Sequence, residues 1–544
     1  MFLYVTIVIA LVVATPVLTV ISFLFTPATE TWAHLADTVL WDYIRNSLLL
    51  MLGVAVGAGT MGVTSAWLVS MYEFPGRRLF TWALLLPLAV PAYIIAYTYT
   101  GMLETGGPVQ TLLRELTGLS YGEYWFPEIR SLGGAICMFS LVLYPYVYLL
   151  ARSAFIDQSV CALEASRTLG CGPWRSFFQV ALPLARPAIV AGLSLALMET
   201  LADYGTVHFF GVATFTTGIF RTWFGLFDET AAGQLSVLLL SFVFVLILLE
   251  RWSRRRARFH HATNRYQALP SIKLPRHRAL ICTLACLIPL LAGFVLPFLQ
   301  LSVWAWATWE EMVDARFVAL VRNSFSLAGS AALITLIPGL LLAYGNRVNP
   351  GRWQVLLTRL SSMGYAIPGT VIAIGVLIPF GKLDNTIDSW LRDHFDYSSG
   401  LIFSGTLFIL LFAYVVRFLS VSLQTVESGL GHIRPSMDDA ARSMGLSQIQ
   451  TLYRIHLPIM KGSLLTALVI VFVDALKELP ATLVLRPFNF NTLAVRAYEL
   501  ASDERLADAS TAAIAIVLTG LIPVILLSRT INQSRAGYDK HAQP

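Results

Sequence analysis

The chain is short of charge. Only 13% of its 544 residues are Asp, Glu, Lys or Arg, while 56% are hydrophobic, against roughly a quarter and a half in soluble domains. A soluble core could absorb part of that apolar excess. It could not absorb repeated apolar stretches of about 20 residues, each long enough to cross a hydrocarbon layer about 30 Å thick as a helix. Such stretches recur along nearly the whole chain, which excludes a soluble globular protein. Cysteine is also scarce. Cys137, Cys161, Cys171, Cys282 and Cys286 fall in apolar spans or in segments assigned below to the cytoplasm, so no disulfide framework is implied. Cys282 and Cys286 are helical neighbours within one apolar span and read as small core residues rather than metal ligands. Phosphate-loop (GxxxxGK[ST]) and HExxH patterns are missing, so any ATP hydrolysis must reside on another polypeptide and an intramembrane zinc protease lacks its usual signature. The first apolar stretch has neither a basic start nor a clear cleavage site and is long enough to span, so we expect it to be retained.

About twelve spans are expected on the length rule, near 2–25, 46–70, 79–103, 131–151, 187–209, 234–250, 279–303, 323–345, 359–380, 401–423, 463–485 and 511–528. Basic loops are retained on the cytoplasmic side. The strongest such signal is the connection holding Arg251, Arg254, Arg255, Arg256, Arg258, Arg265, Lys273, Arg276 and Arg278. Loops near Arg77–Arg78, Arg152–Arg186 and Arg347–Arg359 agree with it, and with twelve spans both termini are expected in the cytoplasm of a bacterial inner membrane. We read the arginine run as a linker with topology-setting charge between two halves embedded in the lipid bilayer, not as a nucleic-acid or anionic-lipid site. The chain then divides into a first half at 1–250, a basic linker at 251–278, a second half at 279–529 and a tail at 530–544.

That division is also an internal repeat. Glu164 opens the run EASRTLG, followed nine residues later by Val180-Ala181-Leu182-Pro183; Asp439 opens DAARSMG, followed nine residues later by Ile455-His456-Leu457-Pro458. The offset of about 275 residues also pairs Glu199 with Asp474, Asp203 with Glu478, Thr217 with Thr492 and Arg221 with Arg496. Upstream it drifts by two, matching Arg45-Asn46-Ser47 with Arg322-Asn323-Ser324 and Pro91 with Pro368. Six spans per half bring both halves into the membrane from the same side. The expected fold is therefore all-α, two parallel-repeat halves about an axis along the membrane normal.

The two repeated runs sit on expected cytoplasmic loops, 152–186 and 425–462. Alanine-rich turns favour helix, and Gly170 and Gly445 can end such a helix with positive φ. Leu182-Pro183 and Leu457-Pro458 are expected to redirect the chain toward the next span. Within the fifth and eleventh spans, Glu199 with Asp203 and Asp474 with Glu478 are each four apart and so expected on one helix face. Charge at midplane costs about 2.5–3.5 kcal/mol on insertion scales and usually faces a wet interior. The two pairs would line a path on the shared axis, with Lys477 neutralising part of it, or would hold helices together by hydrogen bonds; both readings stay open. If they line it, an oxyanion cargo is disfavoured and a cation favoured. His208 and His260-His261 have no partner at ligand spacing and read as polar surface or interface residues.

The pattern EAA-x3-G-x9-I-x-LP resembles the signature of permeases from ATP-binding-cassette (ABC) importers, type I in fold, and both copies match its spacing. The resemblance implies that each loop forms a coupling helix docking on a separate ATPase subunit, two per chain, with ATP and magnesium held there and no cofactor on this chain. The contacts it implies are Glu164, Ala165 and Gly170, and Asp439, Ala440, Ala441 and Gly445. Ser166 and Asp439 are mild departures. The blocks Leu197–Gly211 and Lys477–Ser510 are similar to permeases of bacterial ferric-iron importers, whose halves are likewise fused. That similarity implies Fe(III) as cargo, received from a periplasmic iron-binding protein. Related permeases for thiamine and polyamines give the alternative cargoes. A secondary transporter would also offer twelve spans in two halves, but it would leave the paired loops unexplained.

Overall fold

A computed structural model describes residues 2–157, 172–255 and 272–533. Glu164, Ala165 and Gly170 of the first motif, Cys161, Cys171, His260-His261 and most of the basic linker lie outside the described residues. Among those described, ten helices are long and apolar enough to cross a membrane, and two further pairs pass that test together but are sharply bent; counting each pair once gives twelve. One span stands at each expected place. The extended structure among the described residues is a two-stranded parallel pair, Tyr72–Glu73 with Ile272–Lys273, which ties the loop after the second span to the end of the linker.

Several of the spans are not the straight rods that a hydropathy window implies. The third is broken: Arg77–Ala89 and Ala92–Thr117 meet at 91°, with Pro91 as the extended residue preceding Ala92–Leu103. The ninth starts ten residues later than expected. A separate amphipathic helix, Arg352–Ser361, precedes a turn at Gly364–Ala366, and the spanning helix Gly369–Phe395 begins only after Pro368. Pro91 and Pro368 are repeat partners, and a residue preceding proline is pushed out of the helical region, so both halves break at the same register. The fifth and eleventh spans also end early. Trp174–Ala202 stops before Asp203 and Lys461–Lys477 stops before Glu478, where the chain turns extended (φ −72°, ψ 137° and φ −68°, ψ 117°). The pairs Glu199/Asp203 and Asp474/Glu478 therefore do not share a helix face, because each helix ends between its two members.

The Leu-Pro pairs behave differently from expectation. In the first half Leu182-Pro183 opens the helix Leu182–Ala202, a continuous part of the span that starts at Trp174. In the second half the 77° bend falls at Met460, two residues beyond Pro458. Both are preceded by one turn of π-helix, Phe177–Ala181 and Leu452–His456, at the same repeat position. Proline cannot donate to the helix and its ring presses on the carbonyl four residues back; a wider turn relieves that conflict.

Each half is completed by the other. The first helix, Phe2–Ser22, lies against the second half: Gln354 Nε2 donates to Thr6 Oγ1 at 2.7 Å, and a Cβ on Gly375 would stand 2.3 Å from the Pro16 carbonyl oxygen. Conversely, the first span of the second half, Arg276–Met312, packs on the first half, where Tyr99 Oη donates to the Ala292 carbonyl at 2.6 Å. Small residues let the helices approach this closely, as expected where no hydrophobic force drives helices together in lipid.

Candidate translocation site and coupling surface

The broken ends of the third, fifth, ninth and eleventh spans converge. Irregular backbone is tolerated at membrane depth only when buried in protein or lining a cavity, and here it lines one. A cavity of about 110 Å3 between the halves is walled by Val90, Pro91 and Tyr93, by Phe139 and Tyr146, and by Glu199 and Asp203 of the first half. Tyr365, Arg417, Asp474, Lys477 and Glu478 close it from the second. All four carboxylates singled out in the sequence thus face one space, which the duplicated architecture places at the junction of its two copies.

Their local duties differ. Asp203 caps the short helix Gly205–Phe209: Thr206 N–H donates to Oδ1 at 2.8 Å, Thr206 Oγ1 to Oδ2 at 3.1 Å, and Val207 N–H to Oδ1 at 3.4 Å. Glu478 does the same for Pro480–Leu485, its Oε1 accepting from Ala481 N–H at 3.2 Å. In each half a threonine also satisfies the carbonyl of that acid, though from non-equivalent positions: Thr216 Oγ1 donates to the Asp203 carbonyl at 2.8 Å and Thr482 Oγ1 to the Glu478 carbonyl at 2.6 Å. The C-terminal acid of each pair therefore turns the chain as well as lining the cavity. Gly205 and Gly369 permit this crowding: a Cβ on Gly369 would stand 2.5 Å from Glu478 Oε1.

The cations break the symmetry. Arg417 Nε lies 3.0 Å from Glu478 Oε2, with the two side chains 7% and 6% exposed, and its Nη1 donates to the Ile367 carbonyl at 3.0 Å. That carbonyl belongs to the broken segment before Pro368, so Arg417 also satisfies backbone that the break leaves open. Lys477 Nζ lies 2.8 Å from Asp474 Oδ1. Lys477 and Arg417 both come from the second half; the repeat partner of Lys477 is Ala202. The Glu199 carboxylate has neither an ion pair nor a hydrogen bond among the described residues. Four carboxylates face two cations, so the cavity carries an excess of negative charge when all are ionised.

Sequence reasoning passed over Arg417, Tyr93, Tyr146 and Tyr365. Arg417 had a signal, being an arginine flanked by Val416 and Phe418 in the middle of an apolar span, which by itself marks a functional candidate. The tyrosines had none, because only the fold brings Tyr146 and Tyr365 together across the halves and leaves the buried Tyr93 hydroxyl without a hydrogen-bond partner. His208 proves to be an interface residue, with Nδ1 2.7 Å from the Tyr498 hydroxyl of the other half. Among the described residues no group of three or more His, Cys, Asp or Glu is arranged to hold a metal ion.

On the opposite end, the second repeated loop forms the helix Pro435–Ser443, with proline in its first turn, Asp438 near its N-terminus and Arg442 in its last turn. Both charges suit the helix dipole. Gly445 takes φ +78°, and Gly445 and Leu446 N–H close on the carbonyls of Arg442 and Ala441 at 2.9 and 3.0 Å, a glycine stop of the kind the spacing predicts. Ala441 is fully buried against the bundle, whereas Asp439, Ala440 and Gly445 are exposed. Met437 and Met444 are exposed beside them. The helix therefore presents a mixed surface away from the bundle, in which Ala440, Met437 and Met444 stand beside the exposed Asp439 and Arg442.

The sequence profile described as "Binding-protein-dependent transport system inner membrane component" matches the chain twice, over residues 58–258 and 335–537. The Fe(3+)-transport system permease protein FbpB 2 of Haemophilus influenzae is 25% identical over 496 residues, 90% of either chain. The ferric transport system permease protein FbpB of Actinobacillus pleuropneumoniae is 23% identical over 428 residues, 73% of this chain and 58% of that longer protein. The molybdenum transport system permease protein ModB of Escherichia coli is 26% identical over 224 residues, covering 40% of this chain and 95% of its own. That last relative is the size of one half, in keeping with the duplication. The chain belongs to the family of binding-protein-dependent transport system inner membrane components, as a multi-pass ABC permease with two copies of the family domain fused in one polypeptide.

Proposed function

We propose that the chain is the membrane pathway of an ATP-driven importer for ferric iron, and that Glu199, Asp203, Asp474 and Glu478 line its route. The observation that carries the reading is the convergence of these four carboxylates from both halves on one cavity with more acids than cations. Such a wall repels an oxyanion and attracts a hard cation, which prefers oxygen ligands. The similarity to ferric permeases over nearly the full chain supports the same cargo.

In this reading the Pro435–Ser443 helix and the loop around Glu164, Ala165 and Gly170 each receive one ATPase subunit, and both termini lie in the cytoplasm with them. On the second loop, Asp439, Ala440 and Gly445 meet the ATPase while Ala441 seats the helix on the bundle. Closure of the two ATPases on ATP draws the loops together and tilts the halves, opening the cavity to the periplasm. A periplasmic binding protein releases its ion there, and hydrolysis returns the halves to the inward-facing arrangement.

The test is uptake of radiolabelled Fe(III) by cells lacking their own importer and carrying this chain with its candidate ATPase and binding protein. A Gly170→Pro, Gly445→Pro variant is the control for coupling. Uptake that requires all three components and vanishes in the variant is the expected result. A complex that hydrolyses ATP yet moves thiamine or a polyamine instead would keep the class and overturn the cargo. Uptake independent of the ATPase would overturn the class.

A further inference from the structure

Next to the exposed surface of the Pro435–Ser443 helix lies a polar cluster that the cavity chemistry does not use. Asp438 grips two separate elements at once. Its Oδ2 accepts from Arg347 Nε at 2.8 Å, and Arg347 sits in the last turn of the 34-residue helix Ala315–Val348. Its Oδ1 stands 2.6 Å from His456 Nε2, and His456 is 1% exposed within the π-turn that leads into the eleventh span. Arg347 goes further: Nη1 and Nη2 donate to the carbonyls of Leu430 and Ile433 at 2.5 and 2.9 Å, the exit of the tenth span. Tyr344 completes the cluster, donating to the Gln448 carbonyl at 2.6 Å and packing edge-on to both His456 and Phe2. One carboxylate thereby joins the short helix to three spans, and through Tyr344 to the N-terminal helix of the other half.

We propose that Asp438 is a positioning residue for energy coupling, locking the second loop helix to the membrane core so that displacement of the helix moves the spans. Without the lock the helix would be free to slide on its apolar underside, held there chiefly by Ala441. A carboxylate fixed by a guanidinium fork and an imidazole has directional bonds on both oxygens, which is what a transmitting joint requires and what an apolar contact lacks. The two residues of the carboxylate–imidazole pair are not repeated in the sequence of the first half. At the 275-residue offset Asp438 and His456 correspond to Leu163 and Ala181, which cannot form an ion pair or an imidazole–carboxylate bond.

This inference rests on the importer reading, since the helix must receive an ATPase. The test uses the full chain in lipid nanodiscs with its ATPase and binding protein. Three quantities are read: ATPase copies bound, basal ATP hydrolysis, and stimulation of hydrolysis by the loaded binding protein. In Asp438→Ala the expected result is unchanged ATPase binding and basal hydrolysis, with stimulation reduced about five-fold or more, the range of ordinary allosteric coupling. The exchange Asp438→His with His456→Asp restores the imidazole–carboxylate bond at the same two positions and should recover much of the stimulation. Unchanged stimulation in Asp438→Ala would overturn the proposal. So would a loss of stimulation that appears only together with loss of bound ATPase, which would make Asp438 part of the docking surface. A wild-type chain that binds no ATPase would overturn the importer reading and the lock with it.

Discussion

The buried pair Arg417–Glu478 yields the sharpest energetic prediction. Replacing Arg417 by methionine keeps an unbranched apolar stem and removes the guanidinium. Glu478 then loses a partner 3.0 Å away at a position where it is 6% exposed, and the Ile367 carbonyl loses the donor that satisfies it. Breaking one side of a buried ion pair costs about 3–5 kcal/mol because the remaining charge is left uncompensated. The lost carbonyl bond lies at the low end of its own range of about 1–3 kcal/mol, since water in the adjoining cavity can replace it. The two losses share one cause and do not add, so the variant should be about 4 kcal/mol less stable, close to three decades in the unfolding equilibrium. Glu478→Gln in the same chain removes the stranded charge. The double variant should regain most of the loss, because a neutral pair of similar volume is often as stable as the ions it replaces. Reversible denaturant unfolding in mixed micelles of wild type, both single variants and the double variant measures the coupling directly. A single Arg417→Met chain within about 1 kcal/mol of wild type, or a double variant no more stable than the single, would refute the reasoning.

The two acids of the first half should separate by phenotype. Glu199→Gln touches no bond in the resting structure, so unfolding should shift by less than about 0.5 kcal/mol while Fe(III) uptake falls; unchanged uptake would remove Glu199 from the route. Asp203→Ala strips the cap from Gly205–Phe209 and should cost about 1–2 kcal/mol in the same unfolding assay. At Gly369 an alanine Cβ would press on Glu478 Oε1, so Gly369→Ala should destabilise by about 1–3 kcal/mol as an overpacked site, and less in a Glu478→Ala background. Gly445→Ala places a side chain at φ +78°; a loss of about 1 kcal/mol should appear as faster proteolysis of the loop, with the spans still protected.

How much of this was legible in the sequence depended on the range of the signal. The number and order of spans, the duplication and the glycine stop at Gly445 are local or periodic properties, and they were read correctly, whereas the limits of the fifth, ninth and eleventh spans were not. Hydropathy sums over a window, however, and a window covering 187–209 stays apolar whether the helix continues or turns at Asp203. The turn is set by a carboxylate folding back on Thr206 and Val207, a choice no average registers. In the second half a sharper cue was available: Pro480 follows Glu478 by two residues, and a proline there cannot continue the helix, lacking an N–H and pressing on the carbonyl four residues back. The same holds for Pro91 and Pro368, noticed as repeat markers although their consequence was a break. Arg417 could have been found by asking what an intramembrane arginine pairs with. Tyr146 meeting Tyr365 could not, since their juxtaposition follows from the packing of two halves and leaves no trace at either position.

The duplication and its defects together bear on what kind of site the cavity is. A strictly symmetric pair of halves would offer two equivalent pairs of carboxylates and hold a highly charged cation tightly. Here the second half supplies cations as well, and Lys477 and Arg417 engage Asp474 and Glu478. In the first half Asp203 spends both oxygens on the turn that follows it. Glu199 alone retains its full capacity to accept. On the reading proposed above, a route with one uncommitted carboxylate, backed by three others already bonded, would attract a cation through its overall charge while coordinating it poorly. That combination suits conduction, because an ion held by a complete ligand set would enter readily and leave slowly. The symmetry of the fold positions the acids, and the departures from symmetry keep them from closing into a trap.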